Sequence, residues 1–163
     1  MAETKVHKET EAFNLETKVV VTSIAGWETG FARKADGYGD VTIAPHGSVR
    51  LSRNEILAQI QSGNKLFAGT DGVGSHATLY IDDKKTREQA DFEDGNRKQK
   101  IFLDDTAKSL FAIKSFEEFK KAFDDAIVTR LEKYAVIEAV KKFGLNDFDK
   151  IRYIEQQTGY KMI

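Results

Sequence analysis

Residues 51–83 read LSRNEILAQIQSGNKLFAGTDGVGSHATLYIDD and contain the clearest structural signals in the chain. Ser52 and Glu55 have the S-x-x-E spacing of a capping box, in which the serine accepts a hydrogen bond from an early helical N–H group and the glutamate reaches back to the cap. Three apolar residues then share one helical face: Ile56, Leu57 and Ile60. Gly63 can adopt the positive φ that ends a helix. The sequence therefore predicts a helix over residues 52–62.

A glycine-rich turn at residues 70–74 follows this helix. The apolar residues on either side of it predict two strands, at 66–67 and 77–81, and therefore a hairpin. Glycine-rich loops also bind phosphate, but those loops lie between a strand and the N-terminus of a helix. This loop lies between two predicted strands and lacks a G-K-[ST] ending, so we expect a simple turn.

Strand signals dominate the chain before residue 100. KVVVTS at residues 18–23 is a β-branched run that predicts a strand, and shorter apolar runs at 31–33 and 41–44 predict two more. Pro45 ends the last of these. The charged stretch 82–100 predicts a long exposed hairpin that turns at residues 94–96 and returns at 100–103. We therefore expect residues 18–100 to form a small barrel or a curled sheet with one inserted helix.

From Asp104 onward the apolar period becomes helical. Ser115 and Glu118 have a second capping-box spacing. Apolar residues then recur at three- and four-residue steps from 116 to 140, which predicts one long helix or two helices joined near 128–129. Gly144 ends this pattern, and Asn146 is expected to cap a last helix. The predicted fold is α+β in three parts: an extended polar arm over 1–17, a β-rich region over 18–100 and a helical region over 101–163.

Composition excludes several classes of protein. The chain has 163 residues and no cysteine, which rules out disulfides, thiol nucleophiles and thiolate metal sites. It has 25 basic and 26 acidic residues, and this balance makes nucleic acid a less favoured partner because duplex binding needs a concentrated positive surface. No apolar run has membrane-spanning length, and the polar N-terminus does not have the pattern of a signal peptide. We expect no membrane association.

Candidate catalytic and metal-binding residues lack supporting motifs. His46 and His76 could share a metal ion with Asp40 or Asp71, but no H-x-x-x-H or H-E-x-x-H spacing is present. No serine lies in a G-x-S-x-G elbow. We therefore expect no catalytic residue, no cofactor and no metal site. An enzyme would require a concave pocket with converging titratable groups near His46 or His76.

Three stretches carry a resemblance to a protein family: GWETGFARKADGYGDVTI at 26–43, the stretch 51–83 quoted above, and GLNDFDKIRYIEQQTGYK at 144–161. In them the chain resembles small proteins encoded among the virion genes of tailed phages and of prophages of Gram-positive bacteria. The resemblance implies a non-enzymatic, head-associated or decoration-like part of a phage particle. It implies capsid or other virion proteins as partners. The resemblance also implies a location in the virion, and in the host cytoplasm before assembly. Separately, any part of the phenylalanine stripe Phe116, Phe119 and Phe123 that stays exposed would mark a contact with a second copy of the chain.

Binding to such an assembly would use the arm, the exposed turns and the apolar face of the helical region. We predict four partner-contacting residues on this basis: Phe13, Leu15, Trp27 and Tyr38. The alternative is a nucleic-acid-binding regulator, in which helix 52–62 and the following hairpin act as a recognition helix with a wing. Its phosphate contacts would be Arg50, Arg53 and Lys65. The helices that should precede a recognition helix are absent from the predicted elements.

Overall fold

The fold is α+β, as the sequence predicts, in the computed structural model, which describes residues 13–162. Five strands lie in the N-terminal half: β1 Lys18–Ser23, β2 Thr29–Ala32, β3 Asp40–Ile43, β4 Ser48–Ser52 and β5 Leu79–Asp82. The described residues also form seven helices: α1 Arg53–Gln61, α2 Lys65–Ala68, α3 Lys84–Gln89, α4 Asp104–Phe111, α5 Phe116–Ala126, α6 Arg130–Phe143 and α7 Phe148–Thr158.

Strand β1 is the centre of a three-stranded antiparallel sheet with the order β4-β1-β5. Val21 lies opposite Val49 of β4 and Ile81 of β5, so β-branched side chains meet across the sheet. Alternate residues of β1 are buried, namely Val19, Val21 and Ser23, as expected for a strand with one face on a core. Strands β2 and β3 pair separately. Within residues 13–162 the strands do not close into a barrel, which is one of the two predicted arrangements.

Helix α1 begins at the predicted cap but uses its glutamate differently. Ser52 Oγ accepts from the N–H of Glu55 at 3.0 Å, as the capping-box spacing predicts. The carboxylate of Glu55 reaches away from the cap and accepts from the backbone N–H groups of Lys34, Ala35 and Asp36 at 3.0 to 3.1 Å. Glu55 is fully buried. This side chain therefore fixes the turn between β2 and β3 against α1.

The predicted hairpin after α1 is wrong. Residues 66–67 belong to the short helix α2, because the side chain of Asn64 accepts from the N–H of Leu66 and starts a helical turn there. The buried Phe67 anchors this turn in the core. Gly69 follows with φ +71, and a Cβ atom at this position would overlap the carbonyl oxygen of Ser75. Of the two predicted strands, only the second is present, as β5.

The charged stretch 82–100 also differs from the prediction. Residues 84–89 form α3, because the side chain of Asp83 accepts from the N–H of Thr86 and caps a helix. A turn does form at 94–96, where the N–H of Asp94 donates to the carbonyl of Arg97, but residues 100–103 are not a strand. Strand β4 (SVRLS) alternates polar and apolar residues, but it has only two apolar side chains and ends at the cap of α1, and it is absent from the predicted elements.

The helical half matches the prediction more closely. The long apolar pattern divides into α5 and α6 at the predicted joint, since Thr129 caps α6. Gly144 ends α6 in the left-handed conformation, with φ 65. The last helix begins one residue later than predicted, because Asp147 rather than Asn146 caps α7.

Two clusters of buried apolar side chains organise the chain. The first lies around the three-stranded sheet and α1 and includes Ile56 and Phe67. The second lies among the C-terminal helices and includes Phe119 and Ile154. Burying each such side chain contributes roughly 1.5–3 kcal/mol. Ile24, which follows β1, packs against the second cluster, so the two regions touch beside the end of the central strand.

Candidate functional site

Two loops of the β-rich region each place a histidine against the same helix of the C-terminal half, α6. His46 lies between β3 and β4, and His76 lies between α2 and β5. Both have a left-handed backbone, with φ 54 and φ 60. Each imidazole N–H donates to a glutamate of α6 at 2.7 Å, to Glu138 from His46 and to Glu132 from His76. Two pairs of the same chemical type therefore join the β-rich region to the helices.

The His76–Glu132 pair is buried. Its side chains are 12% and 1% exposed. The second carboxylate oxygen of Glu132 accepts from the backbone N–H groups of Val128 and Thr129, both at 2.9 Å, and so completes a capping box at the start of α6. The carboxylate is therefore held by its own helix and by the opposite loop at once. These contacts satisfy the hydrogen-bonding needs of a group that would otherwise be costly to bury.

The His46–Glu138 pair is open. Its side chains are 50% and 49% exposed. It lies at one side of a cleft of about 470 Å³ between the end of β1, the start of α4 and one face of α6. The cleft, under this name below, is lined by Thr22, Ser23, Ile24, His46, Phe102, Leu103, Asp104, Asp105, Ala135, Glu138, Ala139 and Lys142.

The lining of the cleft divides into an apolar part and a charged part. The apolar part is contributed mostly by Ile24, Phe102, Leu103, Ala135 and Ala139. Lys142 Nζ contacts Asp104 Oδ2 at 2.8 Å, and both side chains are largely exposed. Asp105, also exposed, lies next to Asp104 in the first turn of α4. The cleft can therefore hold a ligand that has both an apolar and a charged part.

Three aromatic rings lie beside the cleft and form the aromatic patch: Trp27, Tyr134 and Tyr160. The centroids of Trp27 and Tyr134 are 5.6 Å apart in an edge-to-face arrangement, and those of Tyr134 and Tyr160 are 4.9 Å apart. Trp27 is 43% exposed. Gly26, which precedes Trp27, lies close to Glu138, since a Cβ atom at this position would be 2.5 Å from a carboxylate oxygen of Glu138. The aromatic patch and the cleft are therefore adjacent.

The tyrosines of the aromatic patch influence each other. A hydrogen bond from Tyr160, together with one from Arg130, lowers the pKa of Tyr134. The same interaction between the two tyrosines raises the pKa of Tyr160. The guanidinium of Arg130 lies 5.7 Å from the ring of Tyr134. The patch thus combines aromatic surface, hydroxyl groups and one arginine.

The four predicted partner-contacting residues lie in three places. Phe13 lies under the guanidinium of Arg53, 4.7 Å from its ring centroid, and Leu15 is exposed nearby. Trp27 belongs to the aromatic patch. Tyr38 is 100% exposed in the loop between β2 and β3. Their role in binding stays a prediction, and residues 1–12 of the predicted arm lie outside the described residues.

The three predicted phosphate contacts do not form a free basic surface. Arg50 and Lys65 are exposed. Arg53 is 7% exposed, and its guanidinium contacts Asp83 at 3.0 Å. The hairpin that should act as a wing is replaced by α2 and a loop. This geometry argues against the nucleic-acid alternative, which needs all three cations exposed on one face.

Each of the two histidines pairs with a different glutamate of α6. In the part of the chain that the structure describes, no group of three or more His, Cys, Asp or Glu side chains is placed to hold a metal ion. None of the helices within residues 13–162 combines the length and apolarity that a membrane crossing requires. No protein-family model, curated protein or solved structure matches this chain.

Sequence reasoning missed the two glutamates of α6. The T-x-x-E spacing of Thr129 and Glu132 is a local signal that could have identified the start of α6. No local signal links Glu132 to His76 or Glu138 to His46, because the partners are 56 and 92 residues apart. The cleft follows from these long-range contacts and was therefore not predicted.

Proposed function

We propose that the protein is a non-enzymatic interaction protein of a phage particle, head-associated or decoration-like, and that the aromatic patch is its main contact with the assembly. The aromatic patch is the observation that supports this proposal most strongly. Aromatic residues and arginine are enriched where protein interfaces gain most of their affinity, and Trp27, Tyr134, Tyr160 and Arg130 are of these types.

The setting of the proposal rests on the sequence. The resemblance to proteins encoded among phage virion genes supports a capsid or another virion protein as partner, with a location in the virion after synthesis in the host cytoplasm. It includes residues 26–43, which contain Trp27, and 144–161, which contain Tyr160. Tyr38, Phe13 and Leu15 are proposed as further contacts.

The hydroxyl groups in the cleft favour binding over catalysis. The cleft brings titratable groups together near His46, as an enzyme would require. However, Thr22 Oγ1 lies 2.9 Å from Ser48 Oγ, and the buried Ser23 Oγ accepts from the N–H of Ala25. Neither hydroxyl is paired with the imidazole of His46, as an activated nucleophile would be.

The proposal is tested by co-sedimentation of the purified protein with particles of the parent phage that lack it. Trp27→Ala should weaken attachment at least tenfold, because truncating a central interface aromatic typically costs 2 kcal/mol or more. Phe148→Ala is the matched control, since Phe148 is an exposed aromatic at the start of α7, the helix that Tyr160 follows. Attachment that is equal for wild type and Trp27→Ala would overturn the proposal.

A further inference from the structure

We infer that the cleft binds a long basic side chain, arginine or lysine, presented by the protein partner. This inference rests on the proposed function, because it names the chemistry of a partner that contacts the adjacent aromatic patch. It is supported by the charge of the cleft, by the apolar part of its lining and by its junction with the aromatic rings.

The charge of the cleft is negative. Three carboxylates line it, those of Asp104, Asp105 and Glu138, against the single ammonium of Lys142. With His46 neutral, the cleft has two net negative charges, whereas the whole chain has a net charge of -1. A cation entering the cleft therefore meets a local excess of negative charge.

The shape and polarity of the cleft select a particular kind of cation. The charged groups adjoin apolar side chains, including Ile24 and Ala135. Arginine and lysine have an aliphatic stem that packs on apolar surface and a charged head that stays with polar groups. Lys142 already places its ammonium against Asp104 in this cleft. A volume of about 470 Å³ leaves room for a further side chain of this size.

The aromatic patch provides the independent second feature. Tyr134 and Glu138 lie one turn apart on α6, and Gly26, which contacts Glu138, precedes Trp27. Aromatic faces attract cations, and arginine stacks on them more often than lysine does. A partner segment seated on the patch would therefore reach the cleft with its next basic residue. The aromatic patch and the cleft together therefore favour arginine over lysine as the bound side chain.

The test is an NMR titration of the full-length ¹⁵N-labelled protein with the peptide acetyl-Gly-Arg-Gly-amide. The comparison peptide has citrulline in place of arginine, which keeps the shape and removes the charge. We expect millimolar binding, with shifts concentrated at the backbone amides of Asp105 and Glu138, and at least fivefold weaker binding of the citrulline peptide. Shifts of equal size with both peptides, or shifts scattered over the acidic surface, would refute the inference.

Asp105→Asn should weaken arginine-peptide binding at least threefold. Asp149→Asn is the matched control, because Asp149 is also an exposed aspartate in the first turn of a helix but lies outside the cleft. Equal effects of the two substitutions would count against the cleft. The titration needs no phage particle, so its failure and the failure of the attachment experiment are separate results. If the arginine peptide binds as expected but the protein does not attach to phage particles, only the proposal of a phage partner is refuted.

Discussion

The two histidine–glutamate pairs on α6 have the same chemistry and distance but opposite environments. His76–Glu132 is buried and continues into the capping box of the helix, whereas His46–Glu138 is half-exposed and borders the cleft. Burial makes a carboxylate costly to leave without its hydrogen-bond partner, whereas an exposed pair is weak but accessible. The comparison suggests that one end of the contact between the two regions maintains the fold, while the other end is available to a ligand.

The largest expected effect is at the buried end. Glu132→Ala removes the partner of His76 and the acceptor for two backbone N–H groups, so we expect the free energy of unfolding to fall by about 3 kcal/mol, as for other broken buried pairs. Urea denaturation followed by circular dichroism measures this loss. A loss below about 1 kcal/mol, the range of exposed pairs, would mean that the buried pair stabilises the fold no more than an exposed pair does.

The second effect extends the comparison to another buried carboxylate. Burial alone would raise the pKa of Glu55, but hydrogen bonds from the backbone of Asp36, Ala35 and Lys34 outweigh it and lower the pKa. The folded state therefore favours the ionised carboxylate. Its contribution to stability is fully present above the ordinary pKa of 4.5 and is lost as the pH falls through the lowered pKa of the folded state. Glu55→Gln should cost about 2 kcal/mol at pH 7.

The pH dependence checks the cause of this effect. The stability difference between wild type and Glu55→Gln should be constant from pH 7 to about pH 5 and shrink at lower pH, as measured by urea denaturation across this range. A difference that stays constant down to pH 3 would show that the loss comes from packing and not from the charge.

The third effect separates backbone strain from pairing. Replacement of either histidine by glycine relieves a left-handed φ, which costs a non-glycine residue on the order of 1 kcal/mol. His46→Gly should therefore be neutral or slightly stabilising, because the lost exposed pair contributes less than about 0.5 kcal/mol. His76→Gly should still destabilise the protein by about 1–2 kcal/mol, since it leaves Glu132 buried without its partner. Equal unfolding midpoints for the two variants would contradict this.

The smallest effect is at the open end. Glu138→Gln should change the free energy of unfolding by less than about 0.5 kcal/mol. Added salt should reduce even this difference because exposed charges are screened. Thermal melts at low and high salt measure it. A loss comparable to that of Glu132→Ala would mean that the open pair also maintains the fold.

The elements predicted correctly from the sequence are those with local signals. Helix α1 follows from the cap at Ser52, and strand β1 follows from its run of β-branched residues. Both signals lie within a few residues of the element that they predict. The short apolar run at 66–67 fits a strand as well as a single helical turn, because periodicity cannot distinguish the two. The capping-box spacing predicts that Glu55 caps its own helix, but in the folded chain its carboxylate accepts from a turn twenty residues earlier. The cleft depends on contacts across most of the chain, which one sequence does not display.

The most direct test of the difference between the two ends is a pair of double-mutant cycles, His76→Ala with Glu132→Ala and His46→Ala with Glu138→Ala, each measured by urea denaturation. We predict a coupling energy of about 2 kcal/mol for the buried pair and less than about 0.5 kcal/mol for the open pair. Equal coupling energies, or a larger value for His46 with Glu138, would contradict the division of roles proposed for the two ends.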